Sequence, residues 1–408
     1  MTRLLRALAL AALGSITLTG AAQTPSPPRV PTTQTDEYVR YDLSPPATSS
    51  YHVTFDVSAT TENMTRYADP ILPGTTVTSV SATDLMTGQA LTATHDTNQI
   101  LIALARPVPK NGQGRIRIEK SISDPRGYTL ANGIGTFTTV LPARRGSLVL
   151  PAAFELVACN VASQVLSLPD GRISVAFMNQ APGPTTLVVK TRGGLKTGTV
   201  AVPVPLTDQR SWEPPPSQGP TERTRLAERA SQDRDITYFL QDPATSTFSL
   251  FHDYTESRPG VDKYVNVVRT GSHVSNPSAY ILDTGDVLRH ETLKGDAITA
   301  AKIDAGAVTP DTEVVVVYFP PVKPGQSIRL RISETYTAPE SYRLDGADLV
   351  FDRSLGRPRN SVVLPAGWYL TASSIPAVIS ETTDQKIRLD FFNGRNDSLD
   401  VLIKGRKR

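Results

Sequence analysis

The sequence predicts an all-β protein of two tandem homologous antiparallel β-sandwich domains, joined by a Pro-rich linker with a short helix. Two observations predict it. Segments such as residues 51–57, 115–118 and 386–391 alternate apolar and polar side chains. This period of two places one row of side chains in a core and the other in water. In addition, the second half of the chain repeats the first half.

The internal repeat keeps one register over long stretches. At a shift of 214 residues, the segment 147–152 (Ser-Leu-Val-Leu-Pro-Ala) meets 361–366 (Ser-Val-Val-Leu-Pro-Ala). Nearer the front of each copy the shift is 197 residues, and Pro-Ala-Thr-Ser at 46–49 recurs at 243–246. The difference between the two shifts predicts a 17-residue insertion in the second copy, between residues 286 and 317.

The N-terminus predicts a secretory signal peptide over residues 1–22. Arg3 and Arg6 supply its positive start, residues 7–18 its short apolar stretch, and small residues precede a cleavage site after Ala22. We therefore expect an extracytoplasmic protein, periplasmic or secreted. No later segment approaches the ~18–20 continuous apolar residues of a spanning helix, so the mature chain is expected to lack a transmembrane segment.

The remaining chain divides by composition and by the repeat. Residues 23–35 are rich in Thr and Pro and are expected to be a disordered leader. The first sandwich is predicted over residues 36–192 and the second over 233–408. Between them, residues 193–232 form the linker, with a stiff proline run and a short exposed helix over 221–232.

The charge balance argues against nucleic acid as a partner. The chain has 42 Lys plus Arg against 39 Asp plus Glu. Removal of the leader brings the balance close to neutral, and the basic residues are spread along the chain. A protein that binds a phosphate backbone needs a concentrated positive surface.

The sequence offers no catalytic, metal or cofactor motif. Asp283 stands in an Asp-Thr-Gly segment, but aspartic-protease chemistry needs a second carboxylate, and the matching residue of the first copy is Met86. The five histidines show no HExxH spacing. The lone Cys159 is expected to be a small half-buried residue, with an intermolecular disulfide as the alternative. We therefore expect no catalytic residue, no metal and no cofactor.

An arginine-rich turn beside an aromatic pair is the candidate binding patch. Trp368 shares its repeat position with Phe154 and is expected to face the core, so Tyr369 should lie on the opposite face. The patch also includes Arg353, Arg357 and Arg359. Arg and Tyr are typical of interaction hot spots. The alternative is an arginine that packs over the tyrosine without any ligand.

The strand order of each copy resembles the N-terminal β-domain of gluzincin-type zinc aminopeptidases. The resemblance covers the opening strand at 51–57, a hairpin with Asp84 and Gly88, the strand at 116–118 and the segment 128–142. The HExxH helix of those enzymes is missing, so the resemblance carries over no catalytic residue. It implies a detached accessory sandwich.

Together these features predict an exported, non-enzymatic binding or accessory protein. Its tandem sandwiches would recognise a protein partner or a cell-envelope polymer such as a surface glycan, because two similar units raise apparent affinity for repeated targets. The alternative is a hydrolase acting on peptides or glycans, with a site assembled from scattered residues.

Overall fold

The structure, a computed structural model, describes residues 37–195 and 234–408, apart from 111, 142, 144, 180–184, 283 and 394–397. The predicted signal peptide, the leader at 23–35, nearly all of the linker at 193–232, and Asp283 lie outside the described residues. Below, the first half means residues 37–195 and the second half residues 234–408. Across both halves, no helix combines the length and apolar character needed to cross a membrane.

The first half consists of strands joined by turns. They are β1 (Tyr38–Leu43), β2 (Ser50–Ala59), β3 (Arg66–Pro70), β4 (Thr76–Asp84), β5 (Ala90–Leu91), β6 (Ala93–His95), β7 (Gln99–Ala103), β8 (Gly114–Ser123), β9 (Tyr128–Ala131), β10 (Ile134–Val140), β11 (Arg145–Val149), β12 (Phe154–Ser167), β13 (Ile173–Met178) and β14 (Thr186–Gly193). A single 3-10 turn, Pro46–Thr48, joins β1 to β2.

The second half repeats this plan and adds one short helix. Its elements are β15 (Arg234–Leu240), β16 (Thr247–Glu256), β17 (Lys263–Val267), β18 (His273–Ile281), β19 (His290–Lys294), α1 (Asp296–Ala300), β20 (Glu313–Tyr318), β21 (Ile328–Thr337), β22 (Tyr342–Asp345), β23 (Asp348–Leu355), β24 (Arg359–Val363), β25 (Trp368–Glu381), β26 (Ile387–Phe392) and β27 (Leu399–Lys407). A 3-10 turn, Pro243–Thr245, again follows the first strand. The all-β prediction is confirmed.

The strand pairings of the two halves follow the sequence repeat. Strand β2 pairs with β8 so that Phe55 faces Ile118, and β16 pairs with β21 so that His252 faces Ile332. The two pairs differ by the sequence shifts of 197 and 214 residues. In each half the first strand also lies parallel to a distant one, β1 to β11 and β15 to β24. The prediction of wholly antiparallel sheets is therefore corrected at one strand pairing in each half. That pairing is parallel because the chain returns to its first strand through a long connection.

A small three-stranded sheet accompanies the main sheet in each half, in the order β3-β7-β6 and β17-β20-β19. The connection between β19 and β20 is longer than its counterpart between β6 and β7, so the predicted insertion falls at residues 295–312. It contains α1. Ile298 and Ile303 of this segment pack against Val314 and Val316 in a separate apolar cluster.

The two halves meet along β12 and β25. These strands pair antiparallel, with Cys159 opposite Ile379 and Ser163 opposite Ala377. One hydrophobic cluster includes buried residues of both halves, for example Phe137 and Phe351. The halves thus share a sheet and a core, and the division into two independently folded domains remains a prediction.

Candidate functional site

A polar cavity of about 160 Å³ lies in the second half, between the long sheet and the small sheet. We call it the second-half cavity. Strands β15, β16 and β21 form one wall and β17 another. Its volume is far above the roughly 10–15 Å³ that one water molecule needs. Val267, which is 48% exposed, and the partly exposed Arg357 line it, so it is accessible from solvent.

Glu334 provides a buried carboxyl group in this cavity. Strand β21 alternates, so Glu334 follows Leu330 and Ile332 in the row that faces inward. Its Oε2 accepts hydrogen bonds from Asn266 Nδ2 at 2.7 Å and from the Tyr336 hydroxyl at 2.9 Å. Its Oε1 is buried and has no hydrogen-bond partner. Burial raises the pKa of Glu334, although the two hydrogen bonds oppose that shift.

Arg353 is the buried cation of the same cavity. It is only 8% exposed, and its guanidinium lies 5.2 Å from the ring centroid of Phe248 and under 6 Å from those of Tyr238 and Tyr336. Such ring faces attract a cation. However, the Nε and Nη1 groups of Arg353 are buried without a hydrogen-bond partner. Buried donors in this state cost about 1–3 kcal/mol each, so the site favours a molecule that can accept these hydrogen bonds.

A second arginine and a histidine complete the polar lining. Arg269 donates from Nη2 to the Ser354 carbonyl at 3.0 Å. Burial and the nearby charge of Arg353 lower the pKa of Arg269. On the opposite side, His252 is 4% exposed, and its Nδ1 lies 3.1 Å from the Tyr264 hydroxyl. The cavity thus holds more positive than negative charge.

The first half carries different side chains at the equivalent positions. Where the second half has Glu334 and Asn266, the first half has Lys120 and Asp69, whose Nζ and Oδ2 form a buried ion pair at 2.5 Å. His252, Tyr336 and Arg353 are matched by the less polar set Phe55, Ile122 and Thr139. In the first half the carboxylate of Asp69 therefore neutralises the buried Lys120. In the second half, Nε and Nη1 of the buried Arg353 have no hydrogen-bond partner.

The structure distributes the predicted binding patch over three places. Arg353 and Arg357 line the second-half cavity. Arg359 lies on the outer face, where its Nε donates to Asp235 Oδ1 at 2.5 Å beside an open groove of about 490 Å³. Trp368 is buried, as its repeat position predicts. A binding role for the patch remains a prediction.

Tyr369 is half-buried on β25, opposite Arg406 of β27. Burial raises the pKa of its hydroxyl, the charge of Arg406 opposes that shift, and Asp348 and Glu155 reinforce it. Tyr369 does not line the second-half cavity, so the arginines and Tyr369 do not form one contiguous site.

The sequence patterns did not single out Glu334, Asn266, His252 and Tyr336, which line the cavity together with Arg353. The signal was a difference between the copies. In β21 the inward row should be apolar, and a carboxylate there is a buried charge that needs a partner. Similar residues at matching positions reveal the repeat, whereas the departures from it mark this cavity.

Few side chains of the described lining are of the types that bind metals or act in catalysis. Among the described residues, no group of three or more His, Cys, Asp or Glu side chains can hold a metal ion. The described lining of the cavity contains no Ser, Thr or Cys that could act as a nucleophile. It does bring one imidazole and one carboxyl group into the same space, through His252 and Glu334.

Comparisons with known proteins give a faint likeness. No family model and no curated protein matches the sequence. The chain is similar to the crystal structure of an M1 zinc metallopeptidase from Deinococcus radiodurans, at 14% identity and a TM-score of 0.29. A mutant of the two-domain M1 zinc metallopeptidase bound to L-tryptophan gives 13% identity and the same TM-score. Each match covers 38% of this chain and only 41% of the other chain.

These matches fall on the N-terminal domain of the metallopeptidases and confirm the weak resemblance expected from strand order. At this TM-score the likeness supports no argument about activity.

Proposed function

We propose that this chain is an exported, non-enzymatic binding protein, and that its second half takes up a polar group of a ligand in the second-half cavity. The observation that carries the proposal is the set of buried polar atoms without hydrogen-bond partners, Arg353 Nε and Nη1 and Glu334 Oε1, at one solvent-accessible cavity. A ligand that pairs with these atoms regains hydrogen bonds that the free protein lacks.

The comparison between the halves supports a role beyond folding. The Lys120–Asp69 pair in the first half shows that this architecture can neutralise a buried charge with its own side chains. Arg353 in the second half stays without a carboxylate partner among the described residues. Retention of such a costly arrangement is typical of functional sites, where stability is lost in exchange for binding.

The leader-like N-terminus supports export, and a protein partner or a cell-envelope polymer would then be the ligand. The tandem arrangement supports a second, weaker contact through the first half, because linked units raise apparent affinity. In this proposal the first half is the accessory unit and the second half holds the specific site.

The test replaces the cavity lining with the first half's own side chains. The graft variant combines His252→Phe, Asn266→Asp, Glu334→Lys, Tyr336→Ile and Arg353→Thr. Both proteins are passed over immobilised cell-envelope fractions, peptide arrays and glycan arrays. The wild type should retain a ligand class that the graft variant loses, while circular dichroism shows the same strand content. Equal retention by both proteins would place the site elsewhere.

One observation favours the hydrolase alternative, namely that His252 and Glu334 line the same cavity. An imidazole and a carboxyl group can act as an acid–base pair on a bound peptide or glycan. A screen with chromogenic peptides and glycosides tests it. Turnover by the wild type that disappears in His252→Gln, but persists in the surface variant Arg117→Met, would favour a hydrolase over a non-enzymatic binding protein.

A further inference from the structure

We infer that the group bound in the second-half cavity is a carboxylate on a short aliphatic stem, such as an acidic side chain of a peptide or a small carboxylic acid. This inference rests on the proposed function and names the ligand chemistry of the same site. Four observations support it.

The first observation is the charge of the lining. Three arginines line the cavity, of which Arg353 is buried, Arg357 is half-buried and Arg269 is exposed, and Glu334 is the one carboxyl group in the described lining. A buried charge without a counter-ion costs several kcal/mol, which a ligand of opposite sign recovers. Because the described lining carries more positive than negative charge, the ligand that it favours is an anion.

The second observation is the substitution of the internal counter-ion. In the first half the carboxylate of Asp69 pairs with the buried Lys120. The second half has the neutral amide of Asn266 at the position equivalent to Asp69, and this amide is engaged with Glu334 and Tyr336. The second half thus has its lining carboxyl group, Glu334, at the position of Lys120, and Arg353 Nε and Nη1 have no hydrogen-bond partner.

The third observation distinguishes a carboxylate from phosphate or sulfate. The side chains of Ile236, Leu250 and Ile332 line the cavity beside the arginines. Apolar surface of this kind favours an aliphatic stem over a fully hydrated oxyanion. An acidic side chain supplies both the stem and the charged group, and a charge-assisted hydrogen bond to arginine is among the stronger ones in proteins.

The fourth observation is the unpaired oxygen of Glu334. A carboxyl group that is protonated can donate a hydrogen bond to a second carboxylate, so the two groups share one proton. We expect the ligand carboxylate to accept from the Arg353 guanidinium and from a protonated Glu334, which line the same cavity.

The experiment uses the full chain and the Nε–Hε resonance of Arg353 in a nitrogen–proton NMR spectrum, assigned by its loss in Arg353→Met. The probes are propionate, propionamide, propylammonium and inorganic phosphate. Two blocked tripeptides, with a central Glu or a central Gln, separate a peptide source from a free acid. Propionate and the Glu peptide should shift the resonance downfield, and the uncharged partners of each pair should not.

Isothermal titration of two variants measures how much Arg353 contributes to the affinity for the ligand. In isothermal titration with the Glu peptide, Arg353→Met should weaken binding roughly ten- to a hundredfold, as expected for loss of a hydrogen bond to a charged group. The matched control Arg117→Met removes a surface arginine of the first half, which pairs with Asp56, and should leave the affinity unchanged. Circular dichroism and thermal melting verify that both variants fold.

Several results would overturn the inference. Equal binding of the Glu and Gln peptides, or of propionate and propionamide, would show that the charge is not recognised. A stronger response to phosphate than to propionate would show that the site prefers a different anion. No response to any probe would rule out a carboxylate as the ligand. The proposed function fails separately, when the graft variant retains the same envelope ligand as the wild type.

Discussion

At the scale of single residues, Arg353 is a cation whose burial costs stability. Its guanidinium is buried among aromatic rings, yet two of its donor groups remain without hydrogen bonds. Methionine has a similar stem and needs no counter-ion. We therefore expect Arg353→Met to leave the ligand-free protein as stable as the wild type or to stabilise it by about 1 kcal/mol. Thermal melting without ligand measures this, and a marked loss of stability would contradict the unpaired state of Arg353.

A second residue-scale prediction concerns Glu256. Its side chain is buried, bonds the Tyr254 hydroxyl, and accepts from Arg258 Nη2 at 2.6 Å and Arg258 Nε at 2.9 Å. Burial acts to raise the pKa of Glu256, but the hydrogen bonds from Arg258 and Tyr254 outweigh it and lower the pKa to about 2.

Because this pKa is depressed, the contribution of Glu256 is present above the ordinary value near 4.5 and is lost as the pH falls towards 2. Glu256→Gln should cost about 2–3 kcal/mol at pH 7 and flatten the pH dependence of stability between pH 5 and pH 2. Urea denaturation across that range measures it. An unchanged pH profile would show that the ion pair contributes nothing.

Sequence alternation alone could have identified Glu334. It lies two residues beyond Ile332 and two before Tyr336, all in the inward row of β21. Its neighbours Asn266 and Arg353 come from β17 and β23, and only the folded sheet order brings them beside it. The pattern therefore predicts a buried carboxyl group, but not its partners.

At the scale of strands, a buried ion pair joins β3 of the first half's small sheet to β8 of the main sheet. Both side chains are buried, with Lys120 11% and Asp69 7% exposed. Asp69→Asn leaves the ammonium of Lys120 without its partner and should cost about 3 kcal/mol. Adding Lys120→Glu recreates the Asn–Glu arrangement of the second half and should recover part of that loss. Chemical denaturation of the three proteins tests this, and additive losses in the double variant would contradict it.

The alternating strands were predictable because each carries its own burial pattern. Strands β2, β8 and β26 fall where the period of two places them. The parallel pairing of β1 with β11 was not predictable. More than a hundred residues separate the two strands, and a local sequence pattern does not predict contacts at that separation.

At the scale of the whole molecule, the contact between the halves is both apolar and ionic. Besides the pairing of β12 with β25, the buried Glu155 of the first half accepts from Arg408 Nε at 2.9 Å and from Arg192 Nη1 at 3.1 Å. Arg192 Nη2 in turn donates to Glu381 of the second half at 2.5 Å. The basic C-terminus is thus part of the junction.

This junction predicts one cooperative unfolding transition for the full chain. A shared sheet and a shared apolar cluster couple the halves, so neither should melt alone. Calorimetry combined with denaturation followed by two probes tests it. Two separate transitions would instead support the sequence-based prediction of independently folded domains, which the repeat alone could not decide.

A crystal structure of the full chain grown with the blocked Glu tripeptide shows whether the second-half cavity takes up a carboxylate. We expect electron density for the peptide's side-chain carboxylate within about 2.7–3.2 Å of a guanidinium nitrogen of Arg353. A cavity that holds only ordered water at saturating peptide, or a peptide seated on another surface, would contradict it.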